Sequence, residues 1–294
     1  MKQLLSMFTK NSVPDPRNIV LTGPPCAGKT LSVWLLNKLP DVAALSEPFW
    51  KSQFTDRQTG LKETALTFSR TRQSILSEKT AITKLEPSFF RWQEAGLSQQ
   101  NPIATKLIRK SIWNVRFDKP FSDDFTLVIE NSLGFMAILP DLTDRYRCFA
   151  VVRNPLSILF CWNAERWRRP RTNFTIAEIL DPRLKKRQTG LKNSLESQIG
   201  ILSWCFERCL ALPRVSVIRY EDIIAGGGAA LAPLAPLASN LSEKFLSRDS
   251  SNFEIAPLFQ ELGEKLLRSN GAFWEFYSKE SVEALLSRHT QVAS

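Results

Sequence analysis

The eight residues Gly23-Pro24-Pro25-Cys26-Ala27-Gly28-Lys29-Thr30 restrict this chain more than any other stretch, because they fit the spacing G-x-x-x-x-G-K-[ST] in full. That spacing builds an anion cradle. Its glycines let the backbone curl until successive N–H groups point inward, and the following helix adds its positive end. The context agrees. Asn18–Thr22 (NIVLT) is an apolar run of the length of a buried parallel strand. Lys29–Leu39 has helical spacing, with Leu31, Trp34, Leu35 and Leu39 on related faces, and Pro40-Asp41 ends it. Val42–Leu45 reads as a second strand, so strand, loop, helix and strand open a βαβ unit. Gly23, Pro25, Cys26, Ala27, Gly28, Lys29 and Thr30 are therefore candidate phosphate-binding residues, with Lys29 as a point charge and Thr30 as a hydroxyl donor.

The alternation continues downstream. Leu61–Lys79 reads as a charged helix, and Ala81–Pro120 is mixed, with aromatic residues among Lys106, Arg109, Lys110 and Arg116. Phe125–Ile129 is a third strand followed by a helix from Leu133 to Asp144. Cys148–Val152 is a fourth, followed by a helix from Pro155 to Trp167 whose proline suits the first turn. Leu191–Leu210 is a long helix, Val215–Ile218 a fifth strand, and the chain beyond Gly226 reads as helices and loops. This order predicts an α/β fold of three layers, a mostly parallel five-stranded sheet between helices. The whole of residues 1–294 is expected to form one such domain, with acceptor-site insertions at 51–121 and 168–192.

Composition narrows the partners. A formal charge of +10 favours anionic ligands without choosing among them. Five cysteines, an odd number without a dense framework, argue against a disulfide-stapled secreted domain. Cys205 and Cys209 share a helical face and read as core. With a single histidine, His289, a zinc site is not expected. No apolar stretch approaches membrane-spanning length, and the reduced cytoplasm is the expected compartment.

Three further segments carry a resemblance. Arg147–Trp162 reads RCFAVVRNPLSILFCW, Val215–Ile224 reads VSVIRYEDII, and Pro40-Asp41-Val42 leads to Ser46-Glu47-Pro48. In this order, behind the loop, they resemble the sulfotransferases that use 3′-phosphoadenylyl sulfate (PAPS), over roughly Asn18–Ile224. The resemblance implies a P-loop nucleoside-kinase-like fold. It implies that Pro25–Thr30 hold the 5′-phosphate and the leaving sulfuryl group, and that Arg153 pairs with the 3′-phosphate. It sets Tyr220 near the adenine, and Glu47 where related enzymes place a carboxylate base. The acceptor would be a small molecule or glycan, itself anionic in some cases; nucleic acid is not an expected partner.

The chain also departs from that pattern. Cys26 stands where the family has its catalytic Lys or Arg, and the lysine is Lys29, where nucleoside kinases keep it. Cys161 stands where the family has a serine on the 3′-phosphate; Ser157 or a basic residue of Lys106–Lys110 are the alternatives. Glu130-Asn131-Ser132 replaces a Lys-x-Pro segment. Three functions are therefore weighed. The first is sulfuryl transfer from PAPS without a metal, with Lys29 and Glu47 catalytic. The second is an ATP-dependent small-molecule kinase with Mg²⁺ held by Thr30 and a carboxylate such as Glu130, and with Arg166–Arg171 as a lid. The third is a catalytically silent relative.

Overall fold

The computed structural model describes residues 15–84, 113–163, 174–189, 195–245 and 256–291. Five strands form one sheet: β1 (Asn18–Thr22), β2 (Val42–Ser46), β5 (Thr126–Glu130), β6 (Arg147–Val152) and β7 (Val217–Arg219), in the order β2-β5-β1-β6-β7. Every neighbouring pair in it is parallel. Two further strands among the described residues, β3 (Thr80–Thr83) and β4 (Trp113–Arg116), pair antiparallel in a separate ribbon within the segment whose sequence reads as mixed.

Side chains of the central strands alternate between two apolar layers, as a period of two requires. Val20, Ala43, Leu45, Leu127, Ile129, Ala150 and Val152 pack on one face, with Phe68 and Ile75 of α2 (Arg57–Glu78), α3 (Leu133–Thr143), α4 (Pro155–Asn163) and α7 (Leu195–Cys209). Ile19, Leu21, Val42, Ala44, Val128, Phe149 and Val151 turn to the other, against α1 (Lys29–Asn37), α8 (Tyr220–Ala225) and Leu231–Ala238. Strands covered on both faces need to be apolar throughout, which is why NIVLT and CFAVV lack a polar alternation. The short helices α5 (Thr175–Leu180) and α6 (Pro182–Gln188) lead into α7, and α9 (Ala256–Leu267) and α10 (Lys279–Gln291) close the chain.

Helix ends follow local chemistry that periodicity does not report. Helix α2 starts at Arg57, four residues before the expected Leu61, because the Asp56 carboxylate accepts the Thr59 N–H at 2.8 Å. The fifth strand starts at Val217 rather than Val215, since Arg214–Ser216 forms a 3₁₀ turn after Pro213. At the sheet edge, Asn37 donates to the Ala44 carbonyl and accepts the Ala44 N–H, both at 2.8 Å. Lys119 Nζ donates to the carbonyls of Asn37 (2.7 Å), Leu39 (2.7 Å) and Val42 (2.6 Å). These side chains satisfy the free edge of β2 and the carbonyl end of α1 together.

Candidate functional site

The loop and the candidates Glu47, Glu130, Arg153 and Tyr220 lie where the parallel strands end. The Gly23–Thr30 loop leaves β1, Glu47 follows β2, Glu130 closes β5, Arg153 follows β6 and Tyr220 follows β7. Parallel sheets collect loops of one kind at this edge, and here the chain fills β2 and β5 on one side of β1 before it crosses to β6 and β7 on the other.

The loop is locked by its surroundings. Gly23 has φ +135°, and a Cβ there would sit 2.1 Å from the Val151 carbonyl oxygen. Gly28, at φ +101°, is the N-cap of α1 and offers no side chain to the first-turn N–H groups. Those donors are the ones an anion would accept from. Cys26 also has a left-handed backbone, with φ 69°. Ala27 is buried, Pro25 and Thr30 are half-buried, and the Ala27 N–H closes the turn onto the Pro24 carbonyl at 3.2 Å.

Lys29 is only 4% exposed. Its ammonium donates to the Pro24 carbonyl at 2.7 Å and stands 3.9 Å from Glu130 Oε1. Glu130, 2% exposed, accepts from the Ser46 hydroxyl at 2.7 Å and the Ser132 hydroxyl at 3.1 Å. Burial pushes its carboxyl above the usual range; the Lys29 ammonium pulls the other way, and Glu47 adds to the rise. Glu47 itself turns through φ 44°, with its N–H on the Glu130 carbonyl at 2.7 Å. Its carboxylate pairs with Lys84 Nζ at 3.2 Å. Lys84 is delivered by β3, whose Thr83 hydroxyl and Lys84 N–H both reach the Ser46 carbonyl.

On the other side of the loop, the Arg153 guanidinium lies over the Tyr220 ring, 4.4 Å from its centroid, and donates to the Cys26 carbonyl at 3.4 Å. The same ring lies against Gly28, where a Cβ would come within 2.3 Å of Cδ2. Glu221 accepts the Asn154 N–H at 2.9 Å and the Tyr277 hydroxyl at 2.7 Å, which ties the turn after Arg153 to the segment before α10. Tyr220 and Glu221 thus hold Arg153 and Asn154 from adjacent positions. From α4, the Trp162 indole donates to the Pro25 carbonyl at 3.1 Å, and the neighbouring Cys161, with burial, pushes the Cys26 thiol well above its usual range. Ser157 is half-buried on the first turn of α4.

The predicted site residues therefore converge, in two groups about the loop: Lys29, Glu130 and Glu47 on the β2–β5 side, Arg153, Tyr220 and Cys161 on the β6–β7 side. Sequence reasoning did not find Lys84 or the Trp162 contact, nor that Glu130 faces Lys29. Strand order sets these meetings, and no spacing along the chain reports it. Lys106–Lys110, Arg166–Arg171 and the His289 side chain lie outside the described residues. Among the described residues, no cluster of three or more His, Cys, Asp or Glu is arranged to hold a metal ion, and no helix is long and apolar enough to cross a membrane. No protein-family model matches this chain, and a search of curated proteins returned no match.

Proposed function

We propose that the loop binds PAPS and that the chain moves its sulfuryl group to a hydroxyl or amine acceptor. The observation that carries this reading is Arg153, a guanidinium braced on Tyr220 one strand away from the loop. The 5′-phosphate chain of a nucleotide engages the loop. A second, separate cation suits a donor with phosphate at both the 5′ and 3′ positions. The residues fit such a donor. The uncapped first turn of α1, Thr30 and Lys29 would hold the 5′ end, Arg153 the 3′-phosphate, and Tyr220 would lie beside the base. PAPS supplies the activated sulfuryl group and its phosphate leaving group. Lys29 and the loop amides bind charge on the leaving phosphate, and a Glu47 carboxylate oxygen takes the proton from the acceptor hydroxyl.

A second reading has its own observation. Glu130 is a buried carboxylate on the strand beside β1, 3.9 Å from Lys29. In an ATP-dependent kinase, Thr30 and Glu130 would hold Mg²⁺.

Thermal shift and calorimetric titration with adenosine 3′,5′-bisphosphate and with ATP and Mg²⁺ separate the two. The sulfotransferase reading expects the bisphosphate to stabilise without magnesium. It also expects Arg153→Ala to weaken the bisphosphate by roughly 10- to 150-fold, the value of one charge-assisted hydrogen bond, while leaving ATP nearly unchanged. Stabilisation by ATP and Mg²⁺ alone would overturn it in favour of the kinase. If neither ligand binds, the reading of a catalytically silent chain gains over both.

A further inference from the structure

The carbonyls of Pro24, Pro25 and Cys26 each accept from a side chain: the Lys29 ammonium at 2.7 Å, the Trp162 indole at 3.1 Å and the Arg153 guanidinium at 3.4 Å. Lys29 and Arg153 are the cations that a bound phosphate recruits, so their carbonyl contacts are the ones given up on binding. The indole carries no charge, and a phosphate exerts no such pull on it.

Two prolines make the indole contact consequential. Pro24 and Pro25 have no N–H, and the Ala27 N–H is used by the Pro24 carbonyl at 3.2 Å. Cys26 therefore carries the first amide after Gly23 that the loop can offer to a ligand, and no group among the described residues accepts it. The Pro25–Cys26 peptide is trans, a planar unit whose C=O and N–H point in opposite directions. A donor that holds the Pro25 carbonyl thus also sets the direction of the Cys26 N–H. We propose that Trp162 is a positioning residue of the anion site, whose indole N–H aims the Cys26 amide at a phosphate. The inference rests on the loop as an anion site, and not on which nucleotide fills it.

The anchor is itself held. Trp162 lies in the last turn of α4, and its ring meets Phe174 edge-on, with centroids 5.4 Å apart. Beside it, Asn163 donates to the Gln198 side-chain oxygen at 2.6 Å and accepts from the Gln198 amide at 3.2 Å, which ties the end of α4 to α7. An indole packed on one side and carried by a helix end bonded to a second helix supports the loop without having to be ordered when the anion arrives.

The test uses the full-length chain with inorganic pyrophosphate as the probe. Titration calorimetry is run on Trp162→Phe and on a chain whose residue 162 carries benzothiophene, which keeps the shape of the indole and has sulfur in place of its N–H. Both are expected to bind pyrophosphate about 2- to 13-fold more weakly than the parent, the value of one neutral hydrogen bond. That loss is expected to be equal at low and high salt, because a neutral donor is not screened, whereas the loss in Arg153→Ala shrinks as salt rises. The control, Trp274→Phe, removes an indole bond of the same kind, to the Ser269 carbonyl at 3.0 Å, and is expected to leave pyrophosphate affinity nearly unchanged. If Trp162→Phe does not fold, the benzothiophene chain decides. Parent-like affinity in that chain, a loss that fades with salt, an equal loss in Trp274→Phe, or no pyrophosphate binding by the parent would each overturn the proposal. Absence of bisphosphate binding while pyrophosphate binds would overturn only the sulfotransferase reading.

Discussion

Replacing Gly28 by alanine tests whether the loop and the Arg153 platform are one packed unit. The new Cβ would lie 2.3 Å from Tyr220 Cδ2 and 2.9 Å from Cε2. Carbon atoms rest at about 3.5–4.0 Å, so the ring has to retreat by roughly 1.2–1.7 Å or the loop has to open. The backbone adds to the strain. Gly28 has φ +101°, and a left-handed conformation costs an L-residue about 1–2 kcal/mol. Strain and displaced packing together amount to about 2–3 kcal/mol, which for a chain of this size lowers the melting temperature by roughly 4–12 °C. Because Arg153 rests on the displaced ring, pyrophosphate affinity should fall as well. Circular dichroism melts and a pyrophosphate titration measure the two effects. The control is Gly200→Ala on α7, where a Cβ meets only the end of the Gln188 side chain at 3.2 Å. That variant is expected to be neutral, or stabilised by less than about 1 kcal/mol through helix propensity. Adding Tyr220→Ala to Gly28→Ala should recover part of the lost stability, a non-additivity expected of touching residues. If Gly28→Ala melts with the parent and binds pyrophosphate equally well, the Tyr220 ring does not pack against the loop at Gly28.

Two other perturbations test the frame that positions the site. Lys119→Met should destabilise by about 1–3 kcal/mol in urea titrations, because three carbonyls at the end of α1 and the edge of β2 lose their donor; no loss would mean that water replaces the ammonium. Asp181 supplies a pH test. Burial works against its ionisation, but the Trp204 indole N–H and the Arg208 and Arg183 guanidiniums outweigh it and hold the carboxyl down at about 2. A depressed carboxyl stabilises the fold above its ordinary value near 3.8 and loses that contribution as pH falls toward 2, here about 2 kcal/mol. Asp181→Asn should therefore flatten the fall in stability between about pH 4 and pH 2 relative to the parent, and an unchanged slope would refute the assignment.

Much of the fold was legible because its causes are local. The Gly23–Thr30 spacing dictates a curled turn, and runs such as NIVLT, FTLVI and CFAVV are too apolar for anything but strands covered on both faces. Each of the five expected strands is present, shifted by two residues at most. Helix and strand ends moved where a cap or a proline acted, at Asp56 and Pro213. What the tertiary structure alone decided is which ends meet. Sequence placed Glu130, Lys84, Cys26 and Cys161 in separate segments; the order β2-β5-β1-β6-β7 sets Glu130 beside Lys29 and brings α4 onto the loop. Periodicity reports the conformation of one segment, whereas strand adjacency depends on how all segments share the two apolar layers. That is a property of the packed chain, and no single stretch contains it.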